Sequence, residues 1–318
     1  MKIKNLFSIL LLFVLATACH SNKEEKKSTN EVITKDSIIA EEKLPSLEKE
    51  FADTLDVKPA KESVLLKFNF QKGKTYNYTM NFDVTQKNGE QSRTTAMKWN
   101  YDMQVVDETN DVKTLKTTYK RIEMAMDMGA QKMEFSSEKK VDAYDFMQLP
   151  SKMFGIIKGK SFTMQVNDKG EVLSISRFDK IGEAVINESG FPQEMKPMLQ
   201  QNFKKQFNDD AVKQMFSQTF QIFPNKAVTI GDHWKINSTI AALKQEATTT
   251  FTVKNIKENR VFISGISKLK STDGKSTGTQ TSKLIIDART GLMIDGVFDQ
   301  KSEEGGPATK SRIIGKEF

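Results

Sequence analysis

Cysteine occurs once in 318 residues, histidine and tryptophan twice each, and proline seven times. A single thiol excludes an intrachain disulfide and a cysteine-built zinc site. The histidines, His20 and His233, show no His-x-x-x-His or His-Glu-x-x-His spacing for zinc, and no Gly-x-Ser-x-Gly elbow offers a nucleophile for His233 to activate. His233 therefore reads as structural. Gly155 to Ser161 has three residues between its glycines where a phosphate loop needs four, and a strand pattern follows it, so no helix N-terminus faces the anion. Asp209-Asp210 stand where a helix start explains them, and nothing singles out an acid pair for glycoside hydrolysis. The chain is thus expected not to be an enzyme, with no metal and no cofactor. It also lacks a long apolar run: Leu6 to Val14 falls well short of the ~20 residues that span a bilayer.

What that short run has is the layout of an export signal. Lys2 and Lys4 precede it, and Leu15-Ala16-Thr17-Ala18-Cys19 follows it. The segment resembles the lipobox of bacterial lipoproteins, which implies a signal peptide over residues 1–18 and an acylated, palmitate-type membrane anchor on Cys19. Outer-membrane attachment, with exposure at the cell surface, is the expected location. Residues 20 to 62 carry eight Lys against eleven Asp and Glu, or −3, so the body from Ser63 onward carries 7 − 2 + 3 = +8. That excess suits an anionic lipid partner; nucleic acid is not expected outside the cell.

Residues 19–62 are rich in Lys, Glu, Ser and Thr and poor in aromatics, which predicts a flexible tether. Within it Leu44, Leu47, Phe51 and Leu55 recur at helical spacing, so a short helix is expected to dock on the body. Lys23-Glu24-Glu25 resembles the surface-export signal of Bacteroidota lipoproteins. Asp36-Ser37-Ile38 and Asp53-Thr54-Leu55 resemble their O-glycosylation acceptors, which makes Ser37 and Thr54 candidate glycan sites.

From Ser63 the apolar residues alternate. Val64 to Phe70, Tyr76 to Val84, Met97 to Val105, and a fourth segment that follows the turn Asp107 to Asp111 and closes with Ile122 to Met128 read as antiparallel strands, and Phe162 to Ile175 as a hairpin through Asn167-Asp168-Lys169-Gly170. Between residues 178 and 223 the period is helical: Met195, Met198, Leu199, Phe203 and Phe207 share a face, and Asn208 or Asp209 caps a helix bearing Val212, Met215, Phe216 and Phe220. Strands resume at Trp234 to Ile240, Thr249 to Ile256, Val261 to Leu269 and Ser282 to Asp287.

The two β stretches, residues 63–177 and 224–318, read as copies of one plan. Each has a Gly-bearing start and an aromatic strand, two long strands, then a hairpin with a Gly turn, at Gly170 and at Gly291. Trp99 and Trp234 are expected in equivalent cores. The fold class is mainly β (α+β): duplicated antiparallel curved sheets or an open barrel, with the helical segment 178–223 covering the sheet. Lys72-Gly73-Lys74-Thr75-Tyr76 and the stretch from Pro224 to Gly231-Asp232-His233-Trp234 resemble motifs of an uncharacterised family of Bacteroidota lipoproteins. The architecture is more loosely similar to the periplasmic lipoprotein-carrier fold, an open β-barrel with an apolar hollow covered by helices.

Fifteen methionines form an adaptable apolar surface suited to acyl chains. The first functional reading is therefore a noncatalytic envelope lipoprotein with an apolar pocket lined by Tyr78, Met103, Met126, Met198, Phe203 and Phe216, which takes a lipid or other hydrophobic ligand. The second is a surface interaction or structural lipoprotein with a filled core that contacts envelope proteins or glycans.

Overall fold

The computed structural model describes residues 47–52, 63–88, 91–128, 131–142, 145–206, 209–240, 245–272, 277–302 and 306–318. Cys19, Ser37, Thr54, Leu44, Leu55, Phe207 and Asn208 lie outside them. The described elements begin with α1 (Leu47–Ala52), β1 (Val64–Leu65), β2 (Thr75–Asn88), β3 (Gln91–Thr109), β4 (Val112–Asp127) and β5 (Lys132–Ser136). Then come α2 (Leu149–Ile157), β6 (Ser161–Val166), β7 (Val172–Ser176), α3 (Phe178–Glu188), α4 (Lys196–Gln206) and α5 (Asp209–Phe220). The second half holds β8 (Ala227–Val228), β9 (His233–Ile240), β10 (Gln245–Lys257), β11 (Arg260–Ser271), β12 (Thr277–Asp287), β13 (Met293–Ser302) and β14 (Ala308–Glu317).

Twelve strands form one antiparallel sheet in the order β7-β6-β4-β3-β2-β14-β13-β12-β11-β10-β9, with β5 added along the upper part of β4. The fold is mainly β, and the large sheet curves without closing into a barrel. Period-two alternation determines the faces. One face presents Tyr76, Tyr78, Tyr101, Met103, Phe162, Phe251, Ile263 and Leu284 to a single core shared by both halves and by the helices. The other face carries a separate small cluster, where Leu47 and Phe51 of α1 pack on Phe262 and Ile285. The docked tether helix expected from the sequence is therefore present, on the outside of the sheet.

The duplication is visible in hydrogen bonds. Before β2, Gly73 N–H donates to Val105 O (2.9 Å) and Val105 N–H to Lys74 O (3.0 Å); before β9, Gly231 N–H donates to Val253 O (2.9 Å) and Val253 N–H to Asp232 O (2.9 Å). The equivalent of Trp234 is therefore Tyr76. Trp99 is not Trp234's counterpart, contrary to the expectation, and is half-buried while Trp234 is buried. Along the sheet the copies run head to tail, β7 to β2 and β13 to β9, with β14 between them.

Three further expectations change. Val64 to Phe70 is no sheet strand: β1 pairs with β8 for two residues, after which Leu66, Phe68 and Phe70 run extended and buried through the interior. Leu66 N–H still donates to Lys226 O (3.5 Å), beside β8, and then Phe68 N–H and Asn69 N–H donate to the two hairpin turns rather than to a neighbouring strand. The fourth strand, expected to follow the turn Asp107 to Asp111 and to close at Met128, runs from Val112 to Asp127. An irregularity in its pairing between Tyr119 and Ile122 shifts the alternation, so both side chains face inward. Met128 lies past its end, 41% exposed. Helix α2 and strand β14 carry no clean apolar stripe and were not expected; β14 earns its place by pairing with β2, more than two hundred residues away.

Helices α2 and α3 bury Met153, Phe154, Ile181, Val185 and Ile186. Helix α5 begins with Asp209 and Asp210, whose charges suit its N-terminal dipole. Its residues Val212, Phe216 and Phe220 are spaced by four and buried. It lies against both edge strands, β7 and β9, the position that β14 fills between the copies.

Candidate functional site

The closed end of the interior is built from two glycine turns. Asn167 Oδ1 accepts Lys169 N–H (3.1 Å) and Glu171 N–H (3.0 Å), and Asp287 Oδ1 accepts Arg289 N–H (2.8 Å). Both turns reach the same extended segment: Phe68 N–H donates to Asp168 O and Asn69 N–H to Thr290 O, each at 2.8 Å. Gly170 and Gly291 have φ of +77° and +73°, and a Cβ there would stand 2.0 Å from Phe220 O and 2.3 Å from Lys67 O. Glycine is required at both positions for conformation and for space. Trp234 Nε1 completes this end by donating to Ile222 O at 3.0 Å.

Above the turns runs a layer of aromatic rings. Tyr78, Tyr101 and Tyr119 are register neighbours across β2, β3 and β4. Tyr78 and Tyr101 stack at 5.8 Å, and Phe216 of α5 meets Tyr101 edge-on at 6.1 Å and Phe162 at 5.4 Å. Burial pushes all three phenols well above their ordinary pKa; at Tyr78 a backbone hydrogen bond at Met293 offsets part of the rise. Tyr101 Oη lies 3.1 Å from Met80 Sδ. In the second half Gly265, Gly296 and Gly315 leave room on the inner face that Phe251, Met293 and Tyr78 fill.

Farther along the strands, at the end away from the turns, the same inner face opens. Met80, Trp99, Met126, Met133 and Phe298 are half-buried, and Phe82 is 36% exposed. Register sets Phe82 beside Met97, then Met124 and Phe135; the next row is Val84, Thr95, Met126 and Met133. This strip of thioethers and rings is a part of the interior, among the described residues, that solvent reaches. Across β13 and β12 it continues into the half-buried Gln300 and Gln280.

Of the six residues expected to line a pocket, Tyr78, Met103 and Phe216 share the buried core. Phe203 is half-buried and stacks on Phe178 at 6.2 Å, over Gly182, so it joins α4 to α3. Met126 belongs to the open strip. Met198 faces away, 42% exposed, because Leu199 is the α4 residue that turns into the core. Phe82, Trp99, Met133 and Phe298 were missed as lining residues; Phe82 and Trp99 lay within alternating stripes, but nothing in a stripe tells how far along it the helices reach.

His233 is exposed on the outer face, opposite in direction to Trp234. The neighbouring Asp232 accepts Thr229 N–H (2.9 Å), which holds its carboxyl below the usual range. Strand β6 follows Gly159 at Ser161, as the rejection of a phosphate loop required. No group of three or more His, Cys, Asp or Glu gathers as a metal site among the described residues.

A family model matches residues 110–293, which is 184 of the 318 residues and more than half of the chain. The chain belongs to the family of unknown function DUF6263. The matched DUF6263 region takes in β4 to β12 and all the helices from α2 to α5. No curated protein matches the chain. Among solved structures it is similar to lipovitellin, from a study of its lipid–protein interactions, at 11% identity and a TM-score of 0.46. The match covers 79% of this chain and 25% of lipovitellin's, so the chain spans about a quarter of that protein. The COG4313 outer membrane channel from Pseudomonas putida matches at 7% identity and a TM-score of 0.26, over 83% of this chain and 100% of the channel. A DUF1329 family protein from Desulfovibrio piger matches at 11% identity and a TM-score of 0.11, over 84% and 88%.

Proposed function

We propose that this chain is a noncatalytic envelope lipoprotein, anchored in the outer membrane through acylated Cys19, that takes a hydrophobic ligand at the open end of its curved sheet. The observation that carries the reading is the strip of exposed Phe82 and half-buried Trp99, Met126 and Met133 on the inner face. Apolar rows that helices cover elsewhere are left accessible there, and flexible thioethers adapt to acyl chains of different shape. Titration with a fluorescent fatty acid tests it. Wild type should bind at micromolar concentration, and Met126→Asp, at the open end and away from the packed aromatic layer, should weaken binding at least tenfold.

A chain that binds no such probe would support the second reading, a surface interaction or structural protein that contacts envelope proteins or glycans. The close packing over Gly265, Gly296 and Gly315 favours that alternative. The anchor is tested separately by labelling with a clickable palmitate analogue; equal labelling of wild type and Cys19→Ser would remove it. Glycans at Ser37 and Thr54 should raise the intact mass of protein from the native host.

A further inference from the structure

We infer that the outward face of β9–β12 is a contact surface for an anionic lipid bilayer. Outward alternation places Lys235 of β9, Lys268 and Lys270 of β11 and Lys283 of β12 in solvent. Between them stand the outward threonines of β10 and β12; Glu246 is the strand acid beside the lysines, and at the far end stand Asp287 and Glu50 of α1, which pairs with Arg260 (3.6 Å). Ile266 sits at the centre, between Thr250 and Thr281 in register, and is 61% exposed. An aliphatic side chain ringed by lysines is what a headgroup layer with negative charge accommodates.

The first half of the same outer face is different. There Lys120 pairs with Asp102 (3.4 Å), Arg121 with Glu123 (2.7 Å) and Lys132 with Asp127 (3.6 Å). Among the described residues no ion pair engages Lys235, Lys268 or Lys270. Among the described residues Lys235, Lys268 and Lys270 thus stand unpaired on neighbouring strands around Ile266, whereas the unpaired outward cations of the first half, Lys98 and Lys116, stand apart on β3 and β4.

The position of α1 gives that charge a direction. Phe51 packs on Phe262, four residues before Ile266 on the same outward side of β11. Helix α1 starts 47 − 19 = 28 residues after Cys19. The chain therefore leads from the proposed anchor to the face that carries the lysines. In this respect the inference rests on the lipoprotein reading; the charge pattern does not.

The test uses the full chain carrying Cys19→Ser and Ile266→Cys, so that the single thiol holds an environment-sensitive dye. It is mixed with phosphatidylcholine vesicles with or without phosphatidylglycerol. A blue shift is expected with anionic vesicles and not with neutral ones. Each lysine near such a surface strengthens binding roughly fivefold, so Lys235→Glu, Lys268→Glu and Lys270→Glu together should weaken binding by on the order of a hundredfold. Dye placed instead by Lys98→Cys, on the outward face of β3, should not shift, which separates this face from any contact made by the N-terminal segment.

No shift at position 266 with anionic vesicles would overturn the inference, as would an equal shift at position 98. So would a shift caused by a soluble acidic polysaccharide and not by vesicles. None of the chains can be acylated, so failure here leaves the anchor at Cys19 standing, and failure of palmitate labelling leaves this result standing.

Discussion

Truncating Phe216 to Ala should remove a large fraction of the stability of the whole body. The ring is buried at the level where α5 meets the sheet, 6.1 Å from Tyr101 and 5.4 Å from Phe162. Deleting a buried phenyl ring costs the transfer of its surface plus the cavity left behind, about 3–5 kcal/mol. Against a typical total of about 5–15 kcal/mol, the loss should lower the melting temperature by on the order of 10 °C. Helix α5 also touches the edge strand of each half, so the damage should reach both copies. Urea titrations followed by tryptophan emission can show this, because Trp99 reports the first half and Trp234 the second. In Trp99→Phe and Trp234→Phe backgrounds, the remaining indole should report the same decrease in midpoint on Phe216→Ala, each relative to its own background. Met198→Ala, at an exposed position on α4, should stay within ~0.5 kcal/mol of wild type. A loss under about 1 kcal/mol for Phe216→Ala, or midpoints that move for one indole and not the other, would refute the view that α5 closes the two halves into one cooperative core.

Gly291→Ala should destabilise more than Gly73→Ala in thermal melts, because both have positive φ but only the former would drive a Cβ onto a backbone oxygen, 2.3 Å away; similar losses would show that the turn can move. Trp234→Phe should cost on the order of 1–3 kcal/mol by leaving the buried Ile222 carbonyl without its donor, and Trp99→Ala should cost less than Trp234→Ala because Trp99 is half-buried. For Tyr78, Tyr101 and Tyr119 the folded pKa is raised, so their contribution is complete below the unfolded value of about 10 and is lost as pH rises above it. Alkaline titration should then show tyrosinate absorbance from these rings appearing together with loss of the near-ultraviolet circular dichroism, and early ionisation of these three tyrosines without unfolding would contradict their burial.

Alternation by itself determined much of this protein. A period of two can bury one face or the other but not both, so it assigns Tyr76, Tyr78, Tyr101, Met103, Phe162 and Met164 to the core, and all of them are buried. The turns at Gly170 and Gly291, the acidic start of α5 and the docking of Leu47 and Phe51 are legible for the same reason: each is fixed by chemistry within a few residues. Other features depend on partners distant in the chain, and only the tertiary structure decided them. Leu66 to Phe70 alternates like a strand, yet the N–H groups of Phe68 and Asn69 are claimed by Asp168 and Thr290 from the two copies at once. Strand β14 has a weak pattern and exists because β2 offers it a full row of backbone partners. The sharpest case is the Met198 and Leu199 pair, adjacent residues on one apolar stripe, of which Leu199 turns inward and Met198 meets solvent. A stripe wider than the surface available to cover it cannot specify its own edge, and the packing of α4 against α3, through Phe203 over Gly182, is what draws that line.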